Sequence, residues 1–195
     1  MPKAWTPWIV GGGLVLVLSF LFGLLETALG IQFGFEKILL PLVIGGVAAY
    51  ALFNLSGNRE VTAADPEAQR RALAFEPAGE HQTAIYLIRT GFVGMAAGMN
   101  IEIDGKPVAQ LKSPRFTRID VPNGHHVIRA SFGGGLAPQS NPAELSIEAK
   151  DEDKIQVFEL GLGMGALKNS IRITPASIET ARSKIVGMKM VKAES

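Results

Sequence analysis

The 195-residue chain contains no cysteine. That absence excludes a disulfide framework, a thiolate nucleophile, a cysteine-type zinc site and a lipid-modified N-terminal cysteine. It does not assign a compartment. A charge excess is missing too. The 19 basic and 18 acidic residues leave a net charge of +1, so nothing in the composition calls for a nucleic-acid partner. No G-x-S-x-G, H-E-x-x-H or Walker pattern occurs in the chain. Its apolar content is unevenly spread, and the first 55 residues hold most of the excess.

Trp8 to Gly30 is apolar except for Glu26. At about 1.5 Å per residue a helix of this length crosses a bilayer. The run is too long for a signal-peptide core, and no A-x-A-like site follows it. Ile38 to Leu55 is a second run without charge, which Phe33 and Phe35 extend; Pro41 lies in its first turn, where a missing N–H costs little. The connector, around residues 31–37, is short. The expected structure of residues 1–57 is therefore an antiparallel transmembrane hairpin, with Trp5 and Trp8 in an interfacial aromatic belt. Gly11-Gly12-Gly13, Gly45-Gly46 and Ala49 permit close helix approach. They serve either the packing of the two helices on each other or the docking of another membrane protein. Glu26, near its helix end, reaches the interface. Lys3, Arg59, Arg70 and Arg71 flank the pair, whereas the connector has only Lys37, offset by Glu36. The positive-inside rule then puts both termini in the cytoplasm.

Residues 58–82 read as a linker with one short helix. Asp65 is its N-cap, Pro66 its first residue and Glu67 an acid in its first turn. It runs to Ala74 or Phe75, where Glu76-Pro77-Ala78-Gly79 stops it.

Residues 83–190 read as a β domain. Eight short strands are expected: Thr83 to Thr90, apolar on both faces, then Met99 to Ile103, Val108 to Leu111, Arg115 to Val121, His125 to Phe132, Leu145 to Ala149, Lys154 to Leu160 and Ser170 to Thr174. Asp104-Gly105 and Asn123-Gly124 suit two-residue hairpin turns, which predicts a β-meander over Ile101 to Phe132. Short strands with frequent turns predict an all-β antiparallel sandwich or a barrel. After a cap-plus-proline signal at Thr174-Pro175, the helical spacing of Ile178, Ala181, Ile185 and Met188 predicts a short C-terminal helix. That helix either caps an open face of the β domain or lies on anionic lipid.

The chemistry-bearing residues do not converge. Gly161-Leu162-Gly163-Met164-Gly165-Ala166 fits G-x-G-x-x-A, but a strand rather than a helix follows, so no helix N-terminus is there to hold a pyrophosphate. His125 and His126 are adjacent in a strand and point to opposite faces, while His81 sits in the linker. Asp104 and Asp120 belong to turns. No catalytic, cofactor-binding or metal-ligating residue is assigned, and no cofactor is expected.

Ala72 to Arg89 (A-L-A-F-E-P-A-G-E-H-Q-T-A-I-Y-L-I-R), the run I-D-G-K-P-V-A-Q-L and the run V-P-N-G-H-H-V-I together resemble the DUF2846 domains, and the last two are also similar to PEGA-type β modules. The resemblance covers residues 72–190, and its motifs are structural turns. It implies an envelope-facing domain of the kind found on bacterial lipoproteins of unknown function. Here a helical hairpin stands where that family has its lipobox cysteine. The family thus points outside the cytoplasm and the local arginines point inside, with the arginines slightly favoured. The expectation is a two-pass protein of the bacterial inner membrane carrying a non-enzymatic β-sandwich for recognition or scaffolding. Its partners are the lipid bilayer and another membrane or envelope protein. The alternatives are an accessory subunit docking through its helices, and a glycan-acting hydrolase, for which catalytic groups are missing.

Overall fold

A computed structural model describes residues 6–30, 32–163 and 169–194. Lys3, Trp5, Ile31 and the Met164-Gly165-Ala166 half of the glycine motif lie outside the described residues. The chain divides into two compact units, Met1–Ser56 and Gly57–Ser195.

The first unit is a pair of helices, α1 (Thr6–Leu29) and α2 (Glu36–Leu55). Both are long and apolar enough to cross a membrane. Gly11, early in α1, meets Gly45 and Ala49, late in α2, so the helices run antiparallel. A Cβ placed on Gly11 would stand 2.6 Å from the Ala49 Cβ and 2.7 Å from the Gly45 carbonyl oxygen. Only glycine permits that approach. At the connector end, Lys37 pairs with Glu26 at 3.1 Å rather than with its neighbour Glu36. Glu26 also accepts the Phe33 N–H at 2.9 Å, so one acid closes the hairpin.

The second unit starts with α3 (Pro66–Leu73), whose N-cap Asp65 accepts the Ala68 N–H at 2.8 Å. The strands follow: β1 (Gln82–Arg89), β2 (Met99–Ile103), β3 (Lys106–Leu111), β4 (Arg115–Pro122), β5 (Gly124–Phe132), β6 (Ser140–Asn141), β7 (Ala143–Ala149), β8 (Ile155–Gly163) and β9 (Asn169–Ala176). Then come α4 (Ile178–Ile185) and β10 (Lys189–Met190). A six-stranded sheet has the order β10-β4-β1-β8-β9-β6, and a four-stranded sheet the order β3-β2-β5-β7.

All eight expected strands are present, but the pairing differs from a meander. Asp104-Gly105 does make the β2–β3 hairpin, with φ of 53° and 74°. Asn123-Gly124 does not make a hairpin. β4 pairs with β1 in one sheet, and β5 pairs with β2 and β7 in the other, so the dipeptide carries the chain between sheets. The reason lies in β4 itself. Phe116 and Thr117 point to opposite faces and both are fully buried, which demands cover on both sides. Nor is the larger sheet wholly antiparallel: β1–β8, β4–β10 and β6–β9 are parallel.

Residues 58–82 carry a buried seam. Ala72 and Phe75 pack with Tyr86, Ile88, Phe116, Ala181 and Ile185 in one cluster. The Tyr86 hydroxyl donates to the Ala72 carbonyl at 3.0 Å, and the Phe75 ring stacks on the Tyr86 ring at 4.8 Å. α4 closes the same cluster, so the C-terminal helix docks on the β domain through Ala181 and Ile185. Its cap is Ser177, which accepts the Thr180 N–H at 3.2 Å. Thr174 and Pro175, the expected start, are still in β9, laddered to Glu159 and Phe158.

Candidate functional site

The strand registers give the second unit two ends, and chemistry separates them. β1 and β8 run parallel towards Arg89 and Leu160, and β4 begins opposite Arg89. In the other sheet Met99 pairs with Leu111 on one side and Phe132 on the other at the corresponding end. The connections Gly91–Gly98 and Gly133–Gln139 leave from this end, and neither contains a charged residue. The opposite end holds the Asp104-Gly105 turn, the Asn123-Gly124 crossing and the acidic turn Asp151-Glu152-Asp153.

At the end from which these two loops leave, Arg89 is the organising residue. It is almost fully buried, and its guanidinium donates to three backbone carbonyls: Gly94 at 2.7 Å, Ala97 and Leu111. It also lies 5.1 Å from the centre of the Phe132 ring. Burial lowers its pKa from the ordinary guanidinium range to about 10, so it keeps its charge at neutral pH. Folding the Gly91–Gly98 loop around a cation turns two of its carbonyls inward, and it leaves Phe92, Val93 and Met95 exposed. A second set of bonds fastens this loop to the start of the unit. Asn58 donates to the Ala96 carbonyl at 3.0 Å and accepts the Gly98 N–H at 2.6 Å. Gln110 donates to the Gly57 carbonyl at 2.9 Å and accepts the Arg59 N–H at 2.6 Å. Sequence reading passed over Arg89, Asn58 and Gln110. A lone arginine closing an otherwise apolar strand was the available signal for Arg89; the amides carry none.

At the other end, Asp104 and His126 form a pair at 2.6 Å, with the other ring nitrogen 2.8 Å from the Pro122 carbonyl. Asp104 accepts the Val127 N–H as well, at 2.9 Å. Carboxylate and carbonyl are both acceptors, so only the imidazolium can donate to the two of them. Burial opposes that charge, but the Asp104 carboxylate and the Pro122 carbonyl outweigh it and raise the His126 pKa. The same bond holds Asp104 below its ordinary value. The histidine thus locks the β2–β3 turn to the crossing between sheets. His125 is exposed, on the other face of β5 as expected. His81 is exposed and pairs with Asp151 at 3.1 Å. Lys154, then Asn123, then His81 lower the Asp151 pKa.

A depression of about 380 Å³ lies between α3, β4 and the chain after β10, lined by Arg71, Arg118, Asp120 and Glu194. Its cations are occupied: Arg118 pairs with Asp120 at 3.0 Å and Arg71 with Glu76 at 2.8 Å. Gly161 and Gly163 lie in β8, laddered to Arg172 and Ser170, which is sheet rather than phosphate-loop geometry. Among the described residues no group of three or more His, Asp or Glu side chains stands close enough to hold a metal ion. No family model matches the chain, and the search of curated proteins gave no match.

Proposed function

We propose that this chain is a two-pass protein of the bacterial inner membrane, whose β domain recognises or scaffolds a partner rather than catalysing a reaction. The observation that carries this reading is where the apolar surface lies. Large exposed hydrophobic side chains crowd α1 and α2, with Leu16 74% and Ile9 70% exposed, and few occur on the second unit. Two such helices left in water would expose far more contiguous apolar surface than a soluble monomer tolerates. The β domain is a sandwich in this reading. Support comes from β1, which is buried on both faces, with α3 and α4 covering one of them. Arg89 on β1 also bonds to Leu111 of the other sheet. The resemblance to DUF2846 domains bears on the fold and not on the activity, and Phe75, Tyr86 and Arg89 of that resemblance act here in packing and loop support. The test is membrane fractionation followed by a pull-down of the full chain from mild detergent with mass spectrometry. Extraction by alkaline carbonate without detergent would overturn the anchored reading, and turnover of a glycan substrate would overturn the non-enzymatic one.

A second reading, an accessory subunit docking through its helices, draws on one observation. A Cβ on Gly12, Gly13 or Gly46 would meet nothing in this chain, unlike one on Gly11 or Gly45. That leaves part of the small-residue surface open to another helix. Gly46→Leu then abolishes capture of the partner while the hairpin stays intact. Undiminished capture would return the interface to the β domain.

A further inference from the structure

We infer that the Gly91–Gly98 loop is a lipid-docking element that dips into the bilayer interface. The inference rests on the membrane-anchored reading and adds a lipid contact on the β domain itself. Phe92 is 85% exposed, and Val93 and Met95 are exposed beside it. A soluble loop tip rarely presents three large apolar side chains and no charge. These are not loosely held. Arg89 fixes the loop from below through the Gly94 and Ala97 carbonyls, and Ser113 donates to the Gly91 carbonyl at 2.7 Å. The apolar tip is thus presented on a rigid base.

Chain continuity names the occupant. Asn58 holds the loop at both Ala96 and Gly98. Only Ser56 and Gly57 separate Asn58 from Leu55, the last residue of α2. Three residues of extended chain reach at most about 11 Å. If α2 ends at a bilayer surface, the loop base is therefore within that distance of it, and interfacial insertion of apolar side chains needs no more. The acidic turn at Asp151 is at the far end of the sheet, about 25 Å away along the eight residues of β1. Lys112 and Arg115, in the segment that Ser113 ties to the loop, and Lys189, laddered to Arg115, put basic groups near anionic headgroups.

The absence of cysteine allows a direct test on the full chain. Ala96→Cys, Leu21→Cys and Glu152→Cys are each labelled with an environment-sensitive dye. The proteins are reconstituted into phosphatidylcholine–phosphatidylglycerol vesicles carrying nitroxide lipids, with the quencher either shallow or deep. The expected result is strong quenching at residue 96 by the shallow lipid, at residue 21 by the deep lipid, and several-fold weaker quenching at residue 152 by either. Adding Phe92→Asp and Met95→Asp to the Ala96→Cys chain should remove the quenching at residue 96; both residues are exposed, so the fold is unaffected. Four outcomes overturn the inference. Quenching at residue 96 that survives the aspartates means that the tether alone holds it near lipid. A dye at residue 96 shielded from water but unquenched means a protein covers the loop. No effect at residue 96 with quenching at residue 21 sinks lipid docking alone, and no quenching at residue 21 sinks the anchored reading with it.

Discussion

The two acceptors facing the His126 ring, Asp104 and the Pro122 carbonyl, favour its protonated form. Its pKa is raised in the folded state, so the stability from its pair with Asp104 is fully present below about 6.5 and is lost as the pH rises through the folded value. Asp104 has the opposite sign. Its pKa is depressed, so its contribution is present above about 3.8 and is lost as the pH falls through the folded value. The pair therefore works best between the two. Denaturant titration in detergent should give lower stability at pH 8.5 than at pH 6, by about 1 kcal/mol for a partly exposed charged pair. His126→Asn should flatten that difference; a variant with the unchanged pH slope would place its origin elsewhere. Arg89 depends on geometry rather than pH. A planar guanidinium reaches three carbonyls where a lysine ammonium is a compact point charge. Arg89→Ala should cost about 3–5 kcal/mol, from carbonyls left buried without donors. Arg89→Lys should recover only part of this, with faster proteolysis within residues 91–98. Full recovery by lysine would show that charge alone suffices.

At the scale of elements, strands were legible in the sequence and their partners were not. Period-2 alternation tells which face of a strand is buried, and it located eight strands here to within a few residues. It is silent about which neighbour completes the ladder, because any strand with a matching face will serve. Asn123-Gly124 illustrates the gap. Gly124 has φ of 137°, a value that favours glycine, yet the turn delivers the chain to another sheet rather than back along β4. The α3 segment was legible as a helix through Asp65 and Pro66, but its burial was not, because Ala72 and Phe75 are too few to make an apolar stripe. α4 was legible as a helix through Ile178, Ala181 and Ile185, but its start was read too early, at Thr174-Pro175, and its docking stood beside lipid binding as an alternative. Ile185 is fully buried against the sheet. Ile185→Asp should lower stability by about 3–5 kcal/mol, seen as a fall in melting temperature of the full chain in detergent without lipid. An unchanged melting temperature with reduced liposome binding would mean that the helix serves lipid instead.

For the whole molecule, sidedness rests on few charges. Lys37 of the connector is held by Glu26, and Arg59 and its neighbours follow α2. On the positive-inside rule we propose that the β domain faces the cytoplasm. A reporter active only outside the cytoplasm, fused after Ser195, should stay silent, and strong activity would instead favour the extracytoplasmic location that the DUF2846 resemblance implies.

The sheet borders described above bear on how many copies a membrane can hold. Proteins confined to two dimensions meet one another often, and an open strand border invites them to join side by side. The six-stranded sheet ends in β10 and β6, two residues each, which pair only with the first two residues of β4 and β9; the charged Arg118 and Asp120 on β4 and Pro175 on β9 lie along the rest of those borders. On the four-stranded sheet, β3 carries Pro107, and the Val108 carbonyl is taken by the Glu194 N–H. β7 sets Glu144 and Glu148 outward, so a second β7 would meet like charge. Crowding this protein into a small area of bilayer should therefore not draw it into a β-linked polymer.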